Sequence, residues 1–254
     1  MKDVTRENIG DLIDLCIPPS KTEDPLFVEG MKAKNRWATQ LVGGYGSVGK
    51  LAYIDSKPVG MIQYRPRPEE RLIEITCVFV PEEENLRKGV GKSLLRALIE
   101  DMNEPKSYFG NHIPLALITL AFEVPGRYPQ HEFYRKMGFR QAGEDDPLLY
   151  YPLKEGFEYV PKKEKFIPQE EDRGRAIIFY DPSCPFCIYF SEKMKDTIRE
   201  VEPRIRVRMI NQFEEPEEAR RRGKPTCVVN KKPIESFFLD RENFQREVRE
   251  ALED

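Results

Sequence analysis

The chain has 254 residues, 39% of them hydrophobic and 33% charged, a length that supports one large domain or two modest ones; two is our reading. A net charge of -3 and a pI near 5.7 argue against a general nucleic-acid binder, which needs excess cations to displace phosphate counterions. No apolar run reaches the roughly 18 residues of a membrane span, and "MKDVTRENIG" lacks the apolar core of a signal peptide, so a soluble, cytoplasmic protein with no membrane partner is expected.

In chain order, Ile9, Leu12, Ile13 and Cys16 recur at helical spacing, and a second amphipathic stretch runs through Val28, Met31, Ala38, Leu41 and Val42. After "GGYGSVG" the period changes to that of strands: "KLAYID", "KPVGMIQYRP" beyond a turn at Ser56 and Lys57, and "RLIEITCVFV", an antiparallel meander. A helix from Val90 to Met102 with Leu94, Leu95, Leu98 and Ile99 on its apolar face leads to the buried strand "IPLALITLAF". A short helix over "HEFYRKMG" closes at Gly138, and "LLYYPL" is the last strand of this region.

Residues 156–174 are charged and broken by Pro161 and Pro168, and read as a linker. From residue 175 the order is strand "AIIFY", turn "DPSCPFC", helix, strand "RIRVRMI", helix "EPEEARRRG", strands "PTCVVN" and "KPIESFF", and a helix through Phe244, Val248 and Leu252. That βαβαββα order is a complete small α/β domain.

The turn between "CVFV" and the Val90 helix, "PEEENLRKGVGKSLL", is built for an anion. It is not a P-loop, because the position five before Gly91 is Leu86, and not a dinucleotide fingerprint, because Leu94 replaces the third glycine. Backbone N–H groups and the helix dipole converge there; Gly89 and Gly91 admit a ligand to the main chain, and Arg87, Lys88 and Lys92 add charge, which suits a pyrophosphate.

Two helices, a three-strand meander, the glycine turn and helix, a buried strand and "FYRKMGF" resemble the GNAT superfamily of acetyltransferases over residues 1–155. The family signature [QR]-x-x-G-x-[GA] falls on Leu86-Arg87-Lys88-Gly89-Val90-Gly91, so the glycines match and the first position does not. The resemblance implies the α/β (α+β) acyl-coenzyme A N-acyltransferase fold, acetyl-coenzyme A as co-substrate and a small-molecule or protein amine as acceptor. It puts the cofactor on Phe79, Val80, Arg87, Lys88, Gly89, Val90, Gly91, Lys92 and Ser93, with the N–H of Phe79 or Val80 near the thioester oxygen. It makes Tyr134 the acid that protonates coenzyme A sulfur and Glu74 the general base, a role that burial would favour by raising its pKa. His131 is an alternative base, with an unperturbed pKa of about 6.5. "FEVPGRYPQHEFY", with Arg127 and Tyr128, is a candidate wall of the acceptor pocket; Cys16 and Cys77 read as buried small hydrophobes.

"DPSCPFC" follows a strand and opens a helix, the context in which C-x-x-C reads as a redox pair: Cys184 at the positive helix end is the attacking thiolate and Cys187 resolves the mixed disulfide. "RRGKPTCVVN" resembles the thioredoxin loop whose cis-proline, here Pro225, faces that motif, so residues 175–254 resemble a second, smaller thioredoxin-like domain, and the fusion resembles the YoaP-like acetyltransferases. Cys227 is expected in the core. Five cysteines cannot all pair internally, and with two histidines no zinc site is expected. The leading reading is an N-acetyltransferase with a redox, thiol-substrate or partner-recruiting second domain, which implies a thiol or redox partner. The others are a thiol-disulfide oxidoreductase whose first domain only binds acyl-coenzyme A, and a soft-metal protein in which Cys184 and Cys187, with or without Cys227, are the ligands.

Overall fold

The computed structural model describes residues 1–121, 128–143, 147–162 and 164–253. The chain divides into two compact units, residues 1–16 with 38–162 and residues 17–37 with 163–254. The first boundary differs from the sequence reading, which kept residues 17–37 with the N-terminal domain. An amphipathic pattern reports that a helix has an apolar face, not which sheet covers it.

The first unit contains β1 (Lys2–Asp3), α1 (Ile9–Asp14), the C-terminal part of α2 (Pro25–Tyr45), β2 (Gly49–Ile54), β3 (Lys57–Arg67), β4 (Leu72–Phe79), α3 (Val90–Met102), β5 (Ala116–Leu120), α4 (Gln130–Lys136), β6 (Arg140–Gln141) and β7 (Leu148–Pro152). Its sheet runs β1-β2-β3-β4-β5-β7-β6. The β2–β3 turn uses Asp55 and Ser56, at φ 47° and 66°, one residue earlier than the sequence suggested; two successive left-handed residues match the twist of a hairpin. Strand β4 runs parallel to β5, which requires the crossover that α3 supplies. Leu94, Leu95, Leu98 and Met102 of α3 pack on Ile62, Ile73, Ile75 and Leu117, so the periodicity of that helix anchors it across the sheet centre. Lys50 and Asp101 close this core with an ion pair at 3.0 Å, and Asp101 also accepts from Lys106 at 2.7 Å.

The second unit adds β8 (Arg175–Tyr180), α5 (Phe186–Val201), β9 (Arg206–Asn211), α6 (Pro216–Arg220), β10 (Cys227–Val229), β11 (Lys232–Pro233) and α7 (Arg241–Leu252). The sheet order is β11-β10-β8-β9, with β8 and β9 parallel and β10 antiparallel to both its neighbours. Alternate residues of β8 face opposite cores: Ala176 and Ile178 meet Ile198, Phe244 and Val248, while Ile177 and Phe179 meet Ile210 and Ala219. The end of the expected linker is part of this unit. Asp172 and Arg222, 0% and 1% exposed, share two hydrogen bonds of 2.7 Å, and the Ile167 N–H donates to the Arg222 carbonyl at 3.1 Å. Among the described residues no helix is long and apolar enough to cross a membrane.

Candidate functional sites

Strands β4 and β5 pair only from Leu72↔Ala116 to Ile75↔Thr119, and β4 carries an irregularity opposite Gln63 and Tyr64 of β3. Beyond that point the two strands are no longer paired, and a cleft of about 710 Å³ is lined by Val78, Phe79 and Val80 from the β4 end, by residues of the following turn and α3, and by Tyr128 to Gln130, Phe133 and Tyr134. The turn is shaped by left-handed conformations at Arg87 (φ 60°) and Gly89 (φ 83°). Gly89 is the N-cap of α3 and offers no side-chain cap. A Cβ on it would meet nothing within 4 Å, so its requirement is conformational. At Gly91 a Cβ would make ordinary contacts of 3.8 Å with Phe133 and Val78; what glycine gives there is space beside the main chain.

The first intrahelical bond of α3 runs from the Ser93 N–H to the Gly89 carbonyl, 2.9 Å. The N–H groups of Val90, Gly91 and Lys92 precede it and have no acceptor within the helix. They stand at the positive helix end with Arg87 and Lys92, all on the cleft wall. Phe79, Val80, Arg87, Gly89, Val90, Gly91 and Lys92 are thus brought together as expected, while Lys88 and Ser93, both exposed, are not among the lining residues.

Tyr134 lies on the same wall and is 3% exposed. Its place follows from the end of α4: Gly138, at φ 91°, turns the chain so that the Phe139 N–H returns to the Tyr134 carbonyl at 3.1 Å, and the Phe139 ring packs tilted against the phenol ring, centroids 4.9 Å apart. Burial pushes the Tyr134 pKa up, against the opposing effect of the Thr119 hydroxyl beside it, so the phenol keeps its proton at neutral pH. Glu74 does not line the cleft. Arg65 Nε and Nη2 hold its two oxygens, each at 2.9 Å, because the two residues are cross-strand partners on β3 and β4. His131 is half-buried and also off the cleft lining. Arg127 lies outside the described residues, whereas Tyr128 lines the cleft. Cys16 and Cys77 are half-buried rather than buried as expected, and the Cys16 sulfur sits 3.8 Å from the Met61 sulfur and 3.5 Å from the Leu12 carbonyl. Gln130 and Phe133 also line the cleft, within the "FEVPGRYPQHEFY" stretch read as a pocket wall; Asn85 is a lining residue not singled out from the sequence, although it lies within the anion turn.

The second site lies where β8 runs into α5. Asp181 accepts from the Ser183 N–H at 2.8 Å, turning the chain toward the helix. Cys184 is exposed and Cys187 half-buried, and all five cysteines are free. The Cys187 thiol donates to the Cys184 sulfur; that bond, with the Phe186 N–H and the charge of Lys34, brings Cys184 down to about 7 against the partial loss of hydration among its neighbours. The same bond, with burial, pushes Cys187 up. The pair therefore divides into an outer thiol that ionises easily and an inner one that does not.

Pro225 corrects the expectation of a cis-proline: among the described residues no peptide bond is cis. Lys224, left-handed at φ 52°, provides the chain reversal before β10, and the proline follows in trans. Pro225 lines a cavity of about 330 Å³ with Phe166, Thr226 and Phe237, a lining that includes neither Cys184 nor Cys187. Cys227, 1% exposed, packs in the core, and burial pushes its thiol up. Among the described residues no three histidine, cysteine or acidic side chains cluster as metal ligands, so a three-thiol cation site has no donor set there.

Residues 16–139, 124 of the 254 residues, match the model of the acetyltransferase (GNAT) family. No curated protein matches the chain. Among solved structures, a Pyrococcus horikoshii protein described as an acetyltransferase is 19% identical with a TM-score of 0.40, over 55% of this chain and 42% of its own. The PaiA N-acetyltransferase of Thermoplasma acidophilum, in complex with coenzyme A, is 17% identical with a TM-score of 0.40, over 59% of this chain and 94% of its own. N-acetylglutamate synthase from Neisseria gonorrhoeae, complexed with coenzyme A and N-acetyl-glutamate, is 18% identical with a TM-score of 0.33, over 45% and 28%. The chain thus spans less than half the length of the first and third. These likenesses are too low to bear on mechanism.

Proposed function

We propose that the protein transfers the acetyl group of acetyl-coenzyme A to an amine, on a small molecule or a protein, in the cleft between β4 and α4. The observation that carries this reading is one cleft wall holding both a helix N-terminus with two cations and a buried, protonated phenol. Acetyl-coenzyme A supplies the acetyl group as a thioester. The N–H groups of Val90, Gly91 and Lys92 and the side chains of Arg87 and Lys92 would hold its diphosphate. The main chain at Phe79 and Val80, past the last β4–β5 pair, is the candidate oxyanion donor. In the transfer the N–C bond forms and the C–S bond breaks; the amine gives a proton to water and Tyr134 gives one to the departing sulfur. Glu74 is left out of this scheme because Arg65 holds both its oxygens.

Release of free coenzyme A against an amine panel tests the proposal. Tyr134→Phe should lower kcat about 100-fold and leave acetyl-coenzyme A affinity unchanged. If calorimetry detects no association of acetyl-coenzyme A with the unaltered protein, the reading is lost.

The outer and inner thiols support a second activity: a thioredoxin-like unit that exchanges disulfides through Cys184, with Cys187 resolving, in a reducing compartment such as the cytoplasm. A Cys184→Ser protein that still reduces insulin at the full rate would remove Cys184 from this role.

A further inference from the structure

Residues 17–37 belong to the C-terminal unit, and there residues 25–37 of α2 lie across the C-x-x-C turn. The Phe27 ring stands edge-on to Phe186 at 4.9 Å and 5.1 Å from Tyr189. Gly30 faces the Pro185 carbonyl so closely that a Cβ would lie 2.0 Å from the oxygen. A glycine inside a helix is less favourable than an alanine, and here close approach requires it. Lys34 follows Gly30 by one turn on the same face, with Phe27 three residues before it. It is 1% exposed, a degree of burial that lysine reaches almost only when its charge is answered.

We propose that Lys34 is a positioning residue that holds Cys184 as a thiolate, and that residues 25–37 form a cover seated on the C-x-x-C turn. The inference rests on the disulfide-exchange reading above. The groups facing Cys184 are Cys187 from α5, Asp181 from the β8–α5 turn and Lys34 from α2; Asp181 opposes the thiolate and the other two favour it.

In the exchange, the Cys184 sulfur attacks one sulfur of a substrate disulfide, the substrate S–S bond breaks, and the departing thiolate takes a proton from water. The Cys187 thiol then loses its proton to water and attacks Cys184, and the second substrate thiol leaves with a proton. The pair gives up two electrons and two protons, and the substrate gains both. The anion that Lys34 faces disappears when the Cys184–Cys187 bond forms.

The test is the rate of iodoacetamide alkylation at Cys184 in the full chain, read by mass spectrometry from pH 5 to 9. The unaltered protein should inflect at about 7. Lys34→Met should slow the reaction at pH 6 by roughly threefold or more and move the inflection upward, and Lys34→Arg should restore it. Gly30→Val, which unseats the cover and leaves the lysine, should give the same upward move. A folded Lys34→Met protein with the unaltered profile overturns the positioning role. A Gly30→Val protein with the unaltered profile overturns the cover, and decides the matter should Lys34→Met fail to fold. If oxidation forms no Cys184–Cys187 disulfide, the exchange reading falls instead, and the alkylation profile still measures what Lys34 does.

Discussion

Strand β4 runs into α3 and strand β8 runs into α5, and each junction puts the positive end of a helix beside a site, but the two use it in opposite ways. At α3 the turn gives up side chains: Gly89 and Gly91 leave the main chain open, Gly89 makes no side-chain cap, and the first N–H groups await an anion from outside. At α5 the turn places its own anion, the Cys184 sulfur, within reach of the Phe186 N–H. On the readings proposed above, the same dipole receives an external anion in one unit and favours a thiolate of the chain in the other: Gly89 is the N-cap of α3, while Cys184 precedes Pro185, the N-cap of α5. The supporting charges differ in kind as well. Arg87 and Lys92 stand at the surface of the cleft, able to follow a ligand, while Lys34 is sealed in.

The comparison breaks most severely if the frame of one junction is removed. Asp172→Ala removes the two buried hydrogen bonds that hold Arg222 and leaves it only Glu171 and Glu218, at 3.1 and 3.0 Å, as carboxylate partners, which should cost about 3 kcal/mol, read by urea unfolding of the reduced protein. Acetyl-coenzyme A affinity measured at low temperature on the folded fraction should stay unaltered; a parallel loss would mean that the two junctions do not stand on separate footings.

The matching test on the α3 side is Asp101→Asn, which deprives the nearly buried Lys50 of a partner and should cost about 1–3 kcal/mol. Burial acts to raise Asp101, but the hydrogen bonds from Lys106 and Lys50 outweigh it and hold the carboxyl below the usual aspartate range. Its contribution is therefore complete above about pH 4 and is lost as pH falls through the lower folded value. Burial acts to lower Lys50, yet Asp3 and Asp101 keep it above the usual lysine range, so that contribution is complete below about pH 10 and is lost as pH rises through the higher folded value. Unfolding at pH 3 and pH 7 should differ less in Asp101→Asn than in the unaltered protein.

Gly89→Ala sharpens the contrast at the receptor itself. A left-handed residue with a Cβ costs about 1–2 kcal/mol, so acetyl-coenzyme A affinity should fall by about tenfold. Gly91→Ala should leave the melting temperature in place, and any loss of affinity there reports a ligand lying against the main chain. The smallest effect belongs to Leu86→Arg, which adds an exposed cation to the cleft wall and should tighten binding by about 0.5 kcal/mol, roughly twofold in Kd by calorimetry.

What could be read from the amino acids alone was local. The spacing of Leu94, Leu95, Leu98 and Met102 fixed α3, and the glycines before it marked the cleft before any strand was paired. Cys184 and Cys187 announced themselves by the strand before them and the helix after. The misses came from contacts between residues far apart in sequence or from register. Glu74 looked like a base until the β3–β4 pairing put Arg65 opposite it. Asp172, inside the charged run "QEEDRGR", looked solvated until Arg222 closed over it. Lys34 carried no signal at all, since nothing in "MKAKNRW" names a thiol as its neighbour. Pro225 was assigned a cis bond by analogy, where Lys224 had another way to turn the chain.

The interrupted composition of the second unit sets an order of events during synthesis. Residues 17–37 leave the ribosome well before the segment from 163 onward exists, so Phe27 must wait for Phe186 and Tyr189. A protein cut at residue 162 to separate the two units would keep that helix without its seat, and its exposed apolar face would make the shorter product prone to self-association.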